Sequence, residues 1–257
     1  GFNHNIFDLG MYPIEIIVSN DSSEYLESLP SPESYYGYRA YDNFDMNYDD
    51  APEYSWIELN IVNEAENLGL EDDTLIKKAL PFDFKYFGKT YNQGEMLTIC
   101  SNGWVSLEDT DIDHFWNFSI PSPMGPSAMI APFMDDLDDN NGSEPFNVWY
   151  FYDQVNHKLI IEWDNVSNGE DDEYCPNCVK ESFQMILFDP QYHQTISGDG
   201  EIVFQYKSIY DIDQNGVYST IGIESPEQND GVQYLYNNNP GLGSFWQSDE
   251  LDGKISG

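Results

Sequence analysis

Positive charge is what this chain has least of. Nine Lys and Arg stand against 47 Asp and Glu in 257 residues, a formal net charge of −38. Such self-repulsion opposes compaction unless cations screen or bind it. It also excludes nucleic acid and anionic membrane surfaces as partners. Long apolar runs are missing too: none approaches the roughly 20 residues that span a bilayer, so membrane insertion is not expected. Helical periodicity is nearly absent, and 22–29 and 63–68 are the only short candidates. The chain opens at Gly1 with no signal-like segment, which reads as a cleaved mature chain or an excised fragment.

Catalytic signatures are equally scarce. There is no Gly-x-Ser-x-Gly elbow, phosphate loop or paired-His zinc motif. The four histidines, His4, His114, His157 and His193, read as turn and surface residues. A glycosidase carboxylate pair is defined by spatial separation, and with so many acids any pair picked from the sequence is arbitrary. The chain is therefore read as non-enzymatic.

Cysteine is limited to three residues. Cys175 and Cys178, in Cys175-Pro176-Asn177-Cys178, fall in a polar loop between two expected strands. A small loop-clamping disulfide is favoured over half a zinc site, which would need two more ligands, and over a redox pair, which would open a helix in a βαβ unit. Cys100 ends the apolar run Met96-Leu97-Thr98-Ile99 and reads as a buried free thiol.

What is present is aromatic and strongly alternating. Thirty-four Phe and Tyr and six Trp can fill a large core. Phe82, Phe84 and Tyr86 alternate with Asp83 and Lys85; Leu159, Ile161 and Trp163 with Glu162 and Asp164; Ile202, Phe204 and Tyr206 with Glu201, Gln205 and Lys207. Period two marks half-buried strands. Further strands are expected at 13–18, 55–62, 95–100, 103–107, 128–133, 146–153, 181–188, 217–224 and 231–236. The fold class is all-β, a β-sandwich or jelly-roll-like domain. Residues 1–52 are expected to form an N-terminal strand and an acidic, Pro- and Tyr-rich arm, and 53–257 the sandwich. That first strand packs in its own chain or completes a sheet in a neighbouring copy.

Two acidic stretches are candidate Ca²⁺ sites. In 134–142, Asp135, Asp136, Asp138, Asp139 and Asn141 crowd a turn just after an apolar strand. Hard oxygen donors at this density suit Ca²⁺, which takes about six to eight of them in a tolerant geometry. The competing reading is a solvated acidic turn. Asp211, Asp213 and Asn215, in Asp211-Ile212-Asp213-Gln214-Asn215-Gly216, match the first half of an EF-hand loop. The twelfth position is Gly222, and a strand follows, so a full EF-hand is rejected. A calcium-binding hairpin loop and an ordinary Asn-Gly turn remain the alternatives.

A series of motifs carries a resemblance: Gly37-Tyr38-Arg39-Ala40-Tyr41-Asp42-Asn43, Tyr54-Ser55-Trp56-Ile57-Glu58, Leu80-Pro81-Phe82-Asp83-Phe84-Lys85-Tyr86-Phe87-Gly88, Ser101-Asn102-Gly103-Trp104-Val105-Ser106 and Ile130-Ala131-Pro132-Phe133-Met134-Asp135-Asp136-Leu137. In this order they resemble a β-domain of secreted bacterial proteins that accompanies gingipain-like cysteine peptidases and other multidomain surface proteins. The likeness covers roughly 37 to 225. It implies an extracellular, non-catalytic module, with no catalytic residue to carry over.

The function expected is that of a calcium-stabilised, secreted or cell-surface β-sandwich for adhesion or assembly. Its partners would be other proteins or copies of itself, as in a filament or surface layer. The alternative is a glycan-binding accessory domain of a secreted peptidase or other hydrolase, with Trp116 as the loop aromatic best placed to be a ligand platform. Trp104 and Trp149 are expected in the core.

Overall fold

The computed structural model describes residues 30–43, 45, 47–139, 146–169, 180–209 and 219–236, together with the backbone of 7–9. The chain folds as two facing antiparallel sheets. Eight strands form the larger: β1 (Phe7–Leu9), β2 (Tyr38–Ala40), β3 (Glu66–Asn67), β10 (Leu137–Asp138), β11 (Val148–Asp153), β12 (Lys158–Asn168), β13 (Glu181–Phe188) and β14 (Ile202–Ser208). They run β2-β1-β14-β13-β12-β11-β3, with β10 paired to the far end of β12. The smaller sheet runs β16-β15-β9-β8-β7-β4, built from β4 (Leu75–Ala79), β7 (Met96–Cys100), β8 (Trp104–Ser106), β9 (Met129–Met134), β15 (Thr220–Glu224) and β16 (Gly231–Tyr236). A separate hairpin joins β5 (Phe84–Tyr86) to β6 (Lys89–Tyr91). The expected all-β sandwich is what forms.

Alternation decides which face closes the core. Trp163, Phe183 and Tyr206 point at the smaller sheet. The Trp163 indole N–H donates to the Cys100 and Ser101 carbonyls at 3.3 and 3.0 Å, and the Tyr206 hydroxyl donates to the Pro132 carbonyl at 2.6 Å. Phe183 stacks on Trp163 at 5.0 Å and meets Phe133 of the opposite sheet at 5.6 Å. Buried aromatics thus satisfy their polar tips across the sandwich while their rings fill it. On the same strands Ile160, Glu162, Gln184, Val203 and Gln205 fall on the other face by period two.

Part of the N-terminal arm is tied to both sheets. Tyr38, Ala40 and Tyr41 are buried. The Tyr35 and Tyr36 backbone N–H groups each donate to the Asp230 carboxylate at 2.7 Å, and the Tyr36 hydroxyl donates to Asp199 at 2.9 Å. β1 pairs with β2 and β14 of its own chain. The strand expected at 13–18 and the helix at 22–29 lie outside the described residues.

Two local expectations fail for identifiable reasons. Residues 55–62 form no strand; they run across the outer face of the larger sheet and end in a 3₁₀ turn at Leu59–Ile61. Side-chain amides and a carboxylate hold their backbone in place of a ladder: Ser55 N–H donates to Gln205 at 2.6 Å, Gln184 donates to the Ile57 carbonyl at 2.6 Å, and Leu59 N–H donates to Glu162 at 3.1 Å. The helix expected at 63–68 is instead the short edge strand β3, paired with β11. Among the described residues, no helix is long and apolar enough to cross a membrane.

Candidate metal centre

Four of the predicted ligands lie on the turn between β9 and β10 (Asp135, Asp136) and on β10 and just after it (Asp138, Asp139), and the fold gives them different roles. Asp135 is fully buried. One of its carboxylate oxygens accepts the Asp136 N–H at 2.8 Å and the other accepts the Asn168 side-chain amide at 2.9 Å. It thereby pins the turn to β12. The Asp136 carbonyl accepts the Gly169 N–H at 2.7 Å, which leaves the Asp136 side chain half-buried at the rim. Asp138 pairs in register with Ser167, and Asp138 and Asp139 are also half-buried.

The tertiary structure adds two carboxylates that the sequence reading did not nominate. Asp72 and Asp73 stand in the turn before β4, and Asp72 lies within electrostatic reach of Asp138 and Asp139. Desolvation of its carboxyl, followed by the charges of Asp73, Asp138 and Asp139, pushes Asp72 up to about 6, although the residue as a whole is exposed. The two turns are linked by Asn102, whose buried side chain donates to Asp73 at 2.8 Å and to the Asp113 carbonyl at 3.2 Å and accepts the Leu137 N–H at 3.1 Å. The only sequence signal for this partnership was the acidic run Glu71-Asp72-Asp73, a short tract of a kind common in so acidic a chain.

A backbone constraint beside Asn102 explains the Ser-Asn-Gly-Trp motif. Gly103 has φ +75°, and a Cβ there would lie 1.7 Å from the Phe133 carbonyl oxygen. Only glycine lets β8 start so close to β9, and that approach sets the Asp135 turn over Asn102.

Other predicted residues are distributed elsewhere. Trp116 is 61% exposed, edge-to-face with Phe115 at 6.0 Å. Trp104 is buried as expected, whereas Trp149 is only half-buried on the outer face. Cys100 is buried with a free thiol, and burial pushes its pKa up to about 12. His157 stacks face to face on Tyr192 at 3.4 Å in the β11–β12 hairpin. Asn141, Asp211, Asp213, Asn215, Cys175 and Cys178 lie outside the described residues.

The fold is an antiparallel β-sandwich with an acidic rim. A comparison with protein-family models matches residues 49–252 to the family described as NIDO related. The match covers most of the chain, which therefore belongs to the NIDO-related family, a family of non-catalytic extracellular modules. No curated protein and no solved structure gives a match.

Proposed function

We propose that this chain is a calcium-stabilised module for adhesion or assembly at a bacterial cell surface, and that its partners are other proteins or further copies of itself. The observation that carries this reading is that Asp72 of one acidic turn feels the charges of Asp138 and Asp139 from another, which adds to the desolvation that raises its carboxyl to about 6. Carboxylates that repel one another across two turns favour a hard divalent cation between them. Its binding to the folded state would stabilise the domain in proportion to occupancy. The extracellular character of NIDO-related domains supports a calcium-rich setting, and the acidic surface supports cation bridging between copies.

The test is electron microscopy and sizing of the purified chain in calcium and then in chelator, with calorimetry of Ca²⁺ binding. Saturable binding with ordered filaments or sheets that dissolve in chelator fits an assembly subunit. Binding by a monomer fits an adhesive domain. Failure to bind Ca²⁺ refutes calcium stabilisation.

A second reading, a glycan-binding accessory domain of a secreted peptidase or other hydrolase, is favoured by one feature. Trp116 and Phe115 present adjacent exposed rings, a surface suited to a sugar's apolar face. Polysaccharide protection of Trp fluorescence that disappears in Trp116→Ala would support it.

A further inference from the structure

Outside the acidic turns, a second group of carboxylates sits on the outer face of the larger sheet. Trp149, Glu162, Gln184 and Gln205 stand side by side in register across β11, β12, β13 and β14. Residues 55–61 cross this row as a strap, clasped by the side chains of Glu162, Gln184 and Gln205. Glu162 is fully buried beneath it. One of its oxygens accepts the Leu59 N–H at 3.1 Å and the Gln184 amide at 2.8 Å, while Oε1 is buried with no hydrogen-bond donor. An unmatched carboxylate oxygen in the middle of a sheet is costly unless something positive meets it.

The surroundings show what would. Glu58 of the strap and Asp164, two residues along β12, each place a carboxylate oxygen near that of Glu162, all within 4.8 Å of one another. Asp164 is itself 8% exposed and accepts the Asn60 side-chain amide at 3.0 Å. Lys207 pairs with Glu58 from the solvent side, its ammonium 5.7 Å from the Trp56 ring. It leaves the Glu162 oxygen unmatched.

We propose that Glu58, Glu162 and Asp164 form a divalent-cation site under the 55–61 strap, with Ca²⁺ the best-suited ion. The ligand set is all oxygen and contains no His or Cys, which disfavours Zn²⁺ and other soft-ligand metals. One ligand comes from the strap and two from a rigid strand, and the half-exposed Glu58 side leaves room for water. This irregular arrangement suits calcium better than the near-octahedral demand of Mg²⁺. The bound ion would lock the strap onto the sheet. This site shares no residue with the β9–β10 turn, and either can exist without the other.

The experiment is a titration of the full chain, freed of metal, with Tb³⁺ and with Ca²⁺. It reads Tb³⁺ luminescence sensitised by tryptophan, since Trp149 is the register neighbour of Glu162 and Trp56 lies on the strap. Expected are a sensitised signal displaced by Ca²⁺, its loss or a roughly tenfold or greater weakening in Glu162→Gln and Asp164→Asn, and its retention in the Asp136→Asn, Asp138→Asn double variant. Unchanged luminescence and Ca²⁺ displacement in Glu162→Gln would overturn the site. So would loss of the signal in the turn variant alone, which would assign it to the other site. Glu58→Gln, on a partly exposed side chain, guards against misfolding of the buried variants; native-like affinity in that variant likewise counts against the proposal.

Discussion

Asn102 and Asp73 are joined by a 2.8 Å hydrogen bond, and the same buried amide accepts the Leu137 N–H. One uncharged side chain therefore holds two acidic turns together. Asn102→Asp removes the donor and adds a charge beside Asp73, so a loss of about 3 kcal/mol or more is expected in urea unfolding. Asn102→Ala, which removes these bonds without adding charge and leaves the Leu137 N–H its 3.0 Å bond to the Asp135 carbonyl, should cost less, about 1–3 kcal/mol. Equal losses in the two variants would contradict the electrostatic part of this account.

Gly103 and Gly94 separate steric conflict from backbone strain. Both have positive φ, +75° and +90°, but a Cβ at Gly94 would meet nothing within 4 Å, while at Gly103 it would collide with the Phe133 carbonyl. Gly94→Ala should cost roughly 1–2 kcal/mol, the ordinary price of a left-handed conformation. Gly103→Ala should cost clearly more and move the β8–β9 contact, seen in thermal melts and in amide exchange at Phe133. Similar melting temperatures for the two would show that β9 yields easily.

For the acidic turns, calcium at about 100 times its dissociation constant should stabilise the chain by about 2.7 kcal/mol. Replacing Asp136 and Asp138 with Asn should lower the affinity and shrink this gain. The stability in chelator should stay the same or rise, because repulsion with Asp72 is relieved. Melting curves of both proteins with and without calcium decide the matter, and a full calcium response in the variant would reject these ligands.

Buried acids set a pH profile whose sign can be worked out. Burial raises Glu162 and Glu224 to about 7, and Asp72 is raised to about 6. Each binds its proton more tightly in the folded chain than in the unfolded one, so its stabilisation is complete below the unfolded value and is lost as pH rises through the folded one. Hydrogen bonds from Lys89 and Ser127 hold Glu108 low against the opposing effect of burial, and those from Asn156 and Val155 do the same for Asp153. Their contribution is lost at the acid end. In chelator the melting temperature should therefore peak near about pH 5 and decline toward pH 8. Glu224→Gln, at a residue with one buried oxygen unmatched, should flatten the decline and add about 2 kcal/mol at pH 8. A profile that rises steadily to pH 8 would refute the assignment.

Cys100 should be inert in the native state. Its thiol is buried and its pKa is pushed up to about 12, so almost no thiolate is present at neutral pH. Peptide mapping after iodoacetamide should find Cys100 labelled only under conditions that unfold the chain, and rapid native labelling would mean that the sandwich opens there.

Several features were legible before the fold was known because they depend on short-range pattern. Alternation placed β5, β12 and β14, and the apolar runs placed β7, β9 and β13, since period two needs only one wet and one dry face. β4 and β6 were missed: Leu75–Ala79 has two consecutive lysines, and the half-buried edge it forms shows little alternation. The strap at 55–62 resembled a strand because its residues favour strands, but its partners turned out to be side chains more than a hundred positions away.

By itself the sequence determined the all-β class, the buried thiol, the acidic character and the crowding of Asp135 to Asp139, all consequences of composition and nearest-neighbour spacing. Only the tertiary structure decided that Asp135 faces inward as a brace, that Asn102 ties Asp73 to the turn, and that Asp72 feels the charges of Asp138 and Asp139. The same is true of Glu58, Glu162 and Asp164, which meet under a strap. The physical reason is that charge–charge and carboxylate–amide interactions act over a few ångströms in space, and strand pairing brings together residues whose separation along the chain carries no trace of that proximity.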